Sequence, residues 1–405
     1  MTQEELTLLQ SDDSKLIIEQ SLSAGLSAER VALTVRCPAI ATQIKYLGRA
    51  AKKLPAFYAS RCIIDRQGYE QCSSQATASS KFESLQGNIA LDLTAGLGVD
   101  SYALSLRFDR VISVEMNDLR AALTAYNFRL LGADNIEVVC SDAESFLLSN
   151  PDLQVDLIYI DPSRIAENST AHERVFSIED SSPNVLKIMQ LIRRIAPRII
   201  IKLSPLFDVD ECFNRFGSAI SVEVVSLNNE CKEVLVKIGF DQPGVIINTI
   251  LKGNSKAQYT FNHCNDCRGA IGSESEAFDP KYLYVPDVAF VKTRTLVSYI
   301  SLYYPLSECN TEGYVLSQTR LPNFAGQEFE ITSIEQYQPK LVKKILKVKG
   351  VKRATIAHHL FPYSTAKILR DLQLKEGGSE KLFFSVYKQK PTVFFVSSSE
   401  NQSNG

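Results

Sequence analysis

Between residues 86 and 240, short apolar runs alternate with amphipathic stretches, and this pattern constrains the fold more than any other feature. The strand-like runs are NIALDL, RVISVEM, IEVVCSD, VDLIYID and RIIIKLS, and helix-like stretches separate them. Short apolar strands that alternate with helices predict a mostly parallel sheet covered on both faces. The runs ISVEVVSL and KEVLVKIGF follow without a helix-length gap, so we expect the sheet to end in an antiparallel pair.

The chain has 405 residues, too many for one ordinary hydrophobic core, so we expect two or three domains. Apolar residues recur at i, i+3 and i+4 near the N-terminus, which predicts helices there. The expected regions are an N-terminal helical region (1–70), an α/β domain (71–240), a connector with room for one strand pair (241–281), a small α+β region (282–325), an α+β module (326–396) and a disordered tail (397–405).

The composition indicates the compartment. The first residues, MTQEELTLLQSDDSK, are polar and acidic, so no signal peptide is predicted. No window approaches 18 uninterrupted apolar residues, so no membrane span is predicted either. The nine cysteines are irregularly spaced, which fits free thiols in a reducing cytoplasm. We therefore expect a cytoplasmic protein.

The stretch GNIALDLTAGLGVDSYA places a glycine turn at the carboxyl end of the first predicted strand. Asp92, Gly96 and Gly98 stand there at D-x-x-x-G-x-G. Ligands of open α/β sheets bind at this edge, and glycines let the backbone approach a ligand closely. The turn alone is compatible with a nicotinamide dinucleotide, another nucleotide, or only a tight connection.

Carboxylates at successive strand ends narrow this choice. Asp92 would repel a pyrophosphate, and Ser101 stands where the third glycine of a dinucleotide fingerprint would fall. Glu115 ends the second strand and can accept hydrogen bonds from ribose hydroxyls. Asp142 follows the third strand and can accept from an adenine amino group. The set favours S-adenosylmethionine, which is cationic and has no phosphate; the alternative is that each acid caps the next helix.

The phrases LDLTAGLGVDS, VISVEMND, CSDAESF and IDPSR resemble successive motifs of the Rossmann-like class I S-adenosylmethionine-dependent methyltransferases. The resemblance covers about residues 71 to 240 and implies a seven-stranded α/β sheet. Further runs, EQCSSQATASSKF, IKLSPLFDV, VSLNNECKEVLVKI and HHLFPYSTAKILRDLQLKEGGSEKLFFSV, resemble a bacterial methyltransferase group with a THUMP-like C-terminal domain. This second resemblance implies a THUMP-like domain over 326–396.

The two resemblances also imply which residues bind the cofactor. In the narrower group the segment before the first strand lies over the cofactor, which adds three residues from that segment. The predicted cofactor-binding residues are Gln71, Ser74, Thr77, Asp92, Thr94, Ala95, Gly96, Gly98, Val99, Asp100, Glu115, Met116, Asp142 and Ala143.

The methyl acceptor is expected beside IDPSR, residues 160 to 164. Asp161 resembles the acid of the D-P-P-Y motif, which aligns an exocyclic amine, but the motif's aromatic residue is Arg164 here. DPSR is also similar to the DPPR of uridine-C5 methyltransferases, yet Leu203 stands at the place of their nucleophilic cysteine. Cys231 in NNECKE is the other candidate thiol. The predicted catalytic residues are Asp161, Pro162, Ser163, Arg164 and Lys202.

Lys202 ends an apolar strand, where an ammonium is costly unless it is paired. It is expected to pair with Asp161 or to hold a substrate phosphate. No metal is predicted, because His263, Cys264 and Cys267 in FNHCNDCR have no second pair at zinc spacing.

The charge is asymmetric along the chain. From residue 331 onward there are 11 Lys and 2 Arg against 4 Glu and 1 Asp, a balance of +8, whereas the whole chain carries -2. A basic terminal module predicts an anionic partner, RNA first of all. We expect phosphate contacts from Lys340, Lys343, Lys344, Lys347, Lys349, Lys352 and Arg353.

The C-terminal module contains two further signals. The chain has no tryptophan, so base stacking would fall to tyrosine or phenylalanine. The run HHLFPYSTAKILRDLQLKEGG is expected to form a helix that starts at its proline and ends at Gly377.

Together these features predict an S-adenosylmethionine-dependent methyltransferase that acts on structured RNA, tRNA or rRNA, at a base nitrogen. The alternatives are a methyltransferase for a small molecule or protein, and a non-catalytic RNA-binding protein that keeps the pocket. A nicotinamide-dependent oxidoreductase is disfavoured by Asp92 and by Ser101.

Overall fold

The computed structural model describes residues 1–164, 178–250, 256–263, 278–305, 308–309 and 313–398. The chain forms two compact units. The first comprises residues 1–207, 211–223 and 232–243, and the second comprises 208–210, 224–231 and the residues from 244 onward. Among the described helices, none combines the length and hydrophobicity that a membrane crossing requires. The domain boundaries expected from the sequence stay predictions.

The first unit begins with helices, as predicted. Serine or threonine side chains cap the N-termini of several of them: Thr2, Ser11, Ser27 and Ser74 each accept a hydrogen bond from a backbone N–H three residues later. The helices are α1 (Gln3–Gln10), α2 (Asp12–Ser23), α3 (Ala28–Val35), α4 (Pro38–Lys53), α5 (Pro55–Ala59), α6 (Arg66–Gln71) and α7 (Gln75–Phe82).

An α/β sheet follows. Its strands are β1 (Gly87–Asp92), β2 (Phe108–Glu115), β3 (Ile136–Cys140), β4 (Leu157–Ile160), β5 (Arg198–Leu203), β6 (Ile220–Leu227) and β7 (Glu230–Ile238). Between them lie α8 (Val99–Ser105), α9 (Asp118–Leu130), α10 (Ala143–Ser149), α11 (Val185–Ile195) and α12 (Val209–Phe216). These are seven strands of a nine-stranded sheet, in which they stand in the order β6-β7-β5-β4-β1-β2-β3, and two further strands follow β6. β1 to β5 are parallel neighbours, and β7 runs antiparallel to β5.

The register brings the carboxyl ends of the parallel strands to one edge. Asp92 at the end of β1 is level with Tyr159 in β4, and Ile160 is level with Ile201 in β5. Glu115 at the end of β2 is level with Cys140 at the end of β3. The predicted fold class is confirmed, and its strand ends carry the residues that the sequence singled out.

The second unit contains an antiparallel pair and a separate sheet. The pair is β8 (Gly244–Ile250) and β9 (Lys256–Phe261), inside the expected connector, and it extends the sheet beyond β6 to nine strands. In strand order the sheet contains Glu308–Cys309, β11 (Val315–Ser317), β10 (Tyr282–Pro286), β12 (Gly326–Gln336), β15 (Lys390–Ser398), β14 (Lys375–Tyr387) and β13 (Arg353–His358). Its helices are α13 (Val288–Lys292), α14 (Leu296–Tyr303), α15 (Pro339–Val348) and α16 (Thr365–Leu372).

The last helix departs from the sequence prediction. α16 begins after Ser364, whose hydroxyl accepts from the Lys367 N–H, and ends at Gln373, which adopts φ +57°. It therefore neither starts at the proline nor reaches Gly377, because β14 begins at Lys375 and uses those residues in the sheet. Residues 399–405 of the expected tail lie outside the described residues.

Candidate functional site

The glycine turn after β1 has two glycines with different surroundings. Gly96 and Gly98 have φ of +55° and +83°, which side chains rarely tolerate. A Cβ on Gly98 would lie 2.6 Å from the Phe128 ring and 2.7 Å from Thr124. A Cβ on Gly96 would meet only the Thr94 carbonyl oxygen, at 3.9 Å. Gly98 therefore serves internal packing, whereas Gly96 faces open space where a ligand could approach the backbone.

Glu115 fastens this turn to the end of β2. Its Oε2 accepts from the Gly96 N–H and its Oε1 from the Asn117 N–H, both at 2.9 Å. A carboxylate has about four lone-pair positions, so two remain for ligand hydroxyls. The next residue, Met116, is 68% exposed although its side chain is large and apolar. Folding leaves this methionine uncovered, which fits contact with a flat apolar ligand group.

Asp92 lies beneath the turn and is only 1% exposed. It accepts from the Thr94 N–H at 2.9 Å and from the Ser101 hydroxyl at 2.6 Å, and burial raises its pKa to about 7. The observed role of Asp92 is thus to order the turn, and its contact with a cofactor stays a prediction. Ala95 and Val99 are likewise buried.

Asp142 caps α10, as the alternative interpretation of the strand-end acids had it. Its side chain accepts from the Ser145 N–H at 2.9 Å, and this hydrogen bond lowers the pKa of Asp142. The residue is exposed, so its carboxylate is also accessible to a ligand, while Ala143 beside it is buried.

The segment before β1 places its three predicted residues differently. Ser74 accepts from the Thr77 N–H at 3.1 Å and thereby caps α7, and Thr77 is 2% exposed. Gln71 ends α6 and is exposed. Of the three, Gln71 has the most accessible side chain, and all three cofactor contacts stay predictions.

The acceptor motif is tied to the glycine turn. The Asp161 N–H donates to the Thr94 hydroxyl at 2.7 Å, and the Asp161 carboxylate forms an ion pair with Lys202. Burial raises the pKa of Asp161, and Lys202 opposes this rise. The predicted pairing of Lys202 with Asp161 is confirmed.

A buried lysine that the sequence prediction missed lies behind this pair. The Lys81 ammonium has no exposed side-chain surface and lies 2.6 Å from Asp100 Oδ1 and 3.1 Å from Glu233 Oε2. It also donates to the Ser73 hydroxyl at 3.0 Å and to the Tyr159 hydroxyl at 3.1 Å. Full burial of an ammonium requires such a set of partners.

The three ion pairs of Lys81 and Lys202 belong to one cluster. Burial alone would lower the pKa of Lys202, but the charges of Asp161, Glu233 and Asp100 raise it above its ordinary value. Burial works against ionisation of Asp100, and the charges of Lys81 and Lys202 lower its pKa nonetheless. The cluster thus contains two ammonium groups and three carboxylates, which we call the buried charge cluster.

The sequence carried little signal for this cluster. Lys81 stands in ASSKFESL, where a lysine is ordinary on an exposed helix face, and Glu233 begins the apolar half of KEVLVKI. Only the packing of α7 and β7 makes these two charges partners. Asp100 was predicted, but as a cofactor-binding residue.

The remaining residues of the acceptor motif have separate positions. Pro162 is buried, and Ser163 is exposed with its hydroxyl 3.3 Å from the Ser182 carbonyl oxygen. The Arg164 backbone pairs with the strand Ser181–Ser182, and its side chain lies outside the described residues. Leu203, at the place of a nucleophilic cysteine, is 2% exposed.

No alternative thiol or metal chemistry emerges among the described residues. Cys231 is half-buried and is not in a disulfide. His263 Nε2 lies 3.1 Å from Asp210 Oδ1, and Cys264 and Cys267 lie outside the described residues. Within the described ranges, no group of three potential metal ligands occurs.

In the second unit, α15 presents the predicted lysines to solvent. Val342 and Leu346 on its inner face belong to the same hydrophobic core cluster as Phe384 and Val393. Lys349 lies 4.8 Å from the Phe395 ring centroid. Lys340, Lys344, Lys347, Lys349, Lys352 and Arg353 are exposed and Lys343 is half-buried, and within the described part of the chain no ion pair joins any of them.

Comparison with known proteins adds two findings. The model of the THUMP domain-like family matches residues 326–398. The crystal structure of a candidate methyltransferase from Porphyromonas gingivalis W83 superposes with a TM-score of 0.77 at 25% identity, and covers 96% of this chain and 99% of that one. This chain has the class I methyltransferase fold with a THUMP-like C-terminal domain. The predicted resemblance is confirmed.

A curated relative matches over a shorter stretch. The ribosomal RNA small subunit methyltransferase J of Francisella philomiragia is 30% identical over 115 residues, or 24% of this chain. The match spans 47% of that relative, so this chain covers about half the length of the curated methyltransferase that it matches.

Proposed function

We propose that the protein is an S-adenosylmethionine-dependent methyltransferase that modifies a base nitrogen of structured RNA, either tRNA or rRNA. The observation that carries the proposal is the linked geometry of the sheet edge. An open glycine turn is held by Glu115, and the same turn is held to Asp161 through Thr94. The cofactor cradle and the acceptor motif are therefore one continuous structure.

The residues present fit the cofactor. Gly96 leaves open space, Glu115 keeps acceptor capacity for ribose hydroxyls, and Met116 and Asp142 are exposed where the adenine would lie. The buried charge cluster contains one more carboxylate than ammonium groups, which favours a cationic ligand nearby. When bound, the cofactor supplies an electrophilic methyl group on a sulfonium.

The protein's own contribution is position and proton handling. The Asp161 carboxylate, held by Lys202, can accept a hydrogen bond from an acceptor amine and fix its lone pair. Because burial raises the pKa of Asp161, it is also suited to take the proton that the amine loses. Leu203 offers no nucleophile, so we propose direct transfer to nitrogen without a covalent adduct.

Three observations support RNA as the substrate. The relative from Francisella is named as a ribosomal RNA methyltransferase, and residues 326–398 match a THUMP-like family. The exposed lysines of α15 provide phosphate contacts without reading sequence. An RNA substrate of this kind implies a cytoplasmic enzyme, which we include in the proposal.

The test compares modified nucleosides by mass spectrometry in total RNA from deletion and parent strains. One methylated nucleoside should disappear on deletion and return with the parent gene. The purified protein should then transfer a labelled methyl group to the affected RNA and produce the same methylated nucleoside. Cofactor binding without RNA methylation would redirect the proposal to a small-molecule or protein substrate, and absence of cofactor binding would refute it.

Asp161→Asn tests the acceptor role within this scheme. Turnover should fall by at least about 100-fold, since proton-transfer and positioning groups contribute roughly that much. Cofactor affinity, measured by calorimetry, should stay within a few-fold of the parent. Asp152→Asn, at an exposed acid after α10, is the matched control and should keep full activity. An active Asp161→Asn variant would remove Asp161 from the mechanism.

A further inference from the structure

The first unit contains a cationic segment outside the THUMP-like domain. Residues 30–64 include no acidic residue. Their basic residues are Arg30, Arg36, Lys45, Arg49, Lys52, Lys53 and Arg61. Only Arg61 forms an ion pair among the described residues, with Glu19. Solubility needs only a surface on which charges of both signs are mixed. A segment with charges of one sign therefore requires another explanation.

Four of these residues lie on one face of α4. Lys45, Arg49, Lys52 and Lys53 fall within an arc of about 100° at 3.6 residues per turn. Lys45, Arg49 and Lys52 are exposed, while the opposite face of the helix is buried through Ile40, Ile44, Leu47 and Ala50. We call Lys45, Arg49, Lys52 and Lys53 the α4 basic row.

Aromatic rings contact two cations of this row, Arg49 and Lys53. The Arg49 guanidinium lies 5.5 Å from the Tyr46 ring centroid, and the Lys53 ammonium lies 4.7 Å from that of Tyr69. Lys53 also donates to the Tyr69 carbonyl oxygen at 2.6 Å, and the Tyr69 hydroxyl donates to the Arg49 carbonyl oxygen at 3.2 Å. Cations that are already ordered lose less conformational entropy when an anion binds.

The row leads to the acceptor site. The Tyr69 carbonyl oxygen that accepts from Lys53 also lies 3.5 Å from Cys72 Sγ. Ser73, the next residue, has its hydroxyl 3.0 Å from carboxylate oxygens of Asp100 and Glu233 in the buried charge cluster. Burial raises the pKa of Cys72, while the charges of Lys53 and Lys202 both act to lower it. The end of the row at Lys53 is thus connected, through Tyr69, Cys72 and Ser73, to the buried charge cluster that contains Asp161.

We propose that the α4 basic row binds the phosphate backbone of the substrate RNA and guides the target nucleotide to Asp161. This inference rests on the proposed function and adds a second RNA contact, separate from the THUMP-like domain. From Lys45 to Lys53 the helix rises about 12 Å, the axial length of roughly three successive phosphates.

The composition of the surface favours nucleic acid over other anionic partners. The exposed residues of α4 from 42 onward are Thr42, Lys45, Gly48, Arg49, Ala51 and Lys52. No large apolar side chain is among them, so the face lacks the anchors that membrane binding or a protein interface uses. Small residues between cations suit close approach of a sugar–phosphate backbone.

The experiment uses the full chain and a charge-reversed variant, Lys45→Glu with Arg49→Glu. Its control is Arg193→Glu with Arg194→Glu, which makes the same charge change on exposed residues of α11. α11 ends just before β5 begins, at the sheet edge opposite the acceptor motif. Affinity for the substrate RNA is titrated at several salt concentrations, beside calorimetry with S-adenosylmethionine and a melting curve.

The row variant should bind RNA at least about 10-fold more weakly than the control. Its log-log salt slope should be shallower by roughly 1.5, since two phosphate contacts are lost at about 0.7–0.9 each. KM for RNA should rise more than kcat falls, and cofactor affinity should match the control. If the reversed variant melts early, Lys45→Gln with Arg49→Gln should give the same changes at a smaller size.

The outcomes separate this inference from the proposed function. In one outcome, the parent protein methylates RNA while the row and control variants bind RNA with equal affinity. That result overturns the inference that the α4 basic row binds RNA and leaves the proposed function intact. Absence of RNA binding by the parent overturns both. In a third outcome, the row variant keeps the parent's salt slope for RNA and loses the ability to bind an acidic protein. That result would assign the surface to a protein partner and also overturn the inference.

Discussion

At the residue scale, buried charges decide how the site is held. Lys81 is buried from solvent yet bonded to Asp100, Glu233, Ser73 and Tyr159. A buried ion pair is weak evidence for stability, because desolvation offsets the Coulombic attraction. Breaking one is different, since it leaves the partner charges buried without compensation. The cluster therefore positions Lys202 and Asp161 rather than adding a large net stabilisation.

Lys81→Met should lower the free energy of unfolding by about 3–5 kcal/mol, because Asp100 and Glu233 lose their shared cation. Urea unfolding of the full chain measures this. The triple variant Lys81→Met, Asp100→Asn, Glu233→Gln removes the uncompensated charges and should recover most of the loss. A triple variant as unstable as the single one would contradict this explanation.

The raised pKa of Asp92 predicts that the free energy of unfolding depends on pH. Its pKa in the folded protein is about 7, above the ordinary 3.8, because the carboxyl group is buried. The folded state therefore holds a proton that the unfolded state releases between about pH 4 and 7. This contribution is complete below the unfolded pKa and is lost as the pH rises through 7. Asp92→Asn should remove this part of the dependence.

Melting temperatures of the parent and of Asp92→Asn, taken at pH 5 and pH 8, check this expectation. The parent should lose more stability than the variant between the two pH values. Asp161, whose pKa is also raised, is present in both proteins, so the comparison reports Asp92 and its interaction with Asp161. Parallel curves would show that Asp92 is ionised throughout.

At the element scale, the turn between β1 and α8 combines a packing requirement and a binding surface. Gly98 lies against Phe128 and Thr124 of α9, whereas Gly96 lies under open space. Both have positive φ, so backbone strain alone does not distinguish them. Their surroundings do, and substitution can separate the two roles.

Gly98→Ala should destabilise the fold by several kcal/mol, because its Cβ would lie within 2.7 Å of two side chains. Gly96→Ala should cost only about 1 kcal/mol for its positive φ. Gly96→Ala should nonetheless lower the affinity for S-adenosylmethionine by at least about 10-fold. The alanine methyl group would fill the open space through which the ligand reaches the backbone. Unfolding curves and calorimetry on both variants test this, and equal cofactor affinity in Gly96→Ala and parent would place the ligand elsewhere.

At the scale of the whole molecule, two cationic surfaces and an acidic remainder define the charge distribution. The residues after 330 carry +8, and residues 30–64 carry seven positive charges without a negative one. The chain as a whole is at -2, so the other surfaces are strongly acidic. Such segregation steers a polyanion to selected faces and repels it from the rest.

Replacement of Lys343, Lys344 and Lys347 by Glu should lower RNA affinity at least about 10-fold and make the log-log salt slope shallower by roughly 2–3. Cofactor binding and melting temperature should not change, because these side chains form no ion pair within the described residues. A gel-shift titration at two salt concentrations, beside a melting curve, measures both. Unchanged RNA affinity would indicate that the lysines only solvate α15, whereas lost stability would indicate that they make stabilising contacts within the chain.

The sequence by itself determined what depends on local pattern. Alternation of apolar runs predicted the parallel sheet and its antiparallel end, since burial on two faces demands continuous apolar strands. The glycine turn, Glu115 and Asp161 were predicted because strand ends of parallel sheets share one edge. The lysines of α15 followed from composition, as charge on a solvated helix face needs no tertiary partner.

Only the tertiary structure decided which charges are buried and what each glycine faces. Lys81 and Glu233 come from segments 152 residues apart, and no local spacing reveals that they meet. The depth of β1 buries Asp92 beneath the turn, which the local sequence pattern did not indicate. The α4 basic row looked like part of an ordinary helix until Tyr69, Cys72 and Ser73 connected it to the acceptor site. Long-range packing sets burial and partners, and these set the free energy of a charge far more than its residue type does.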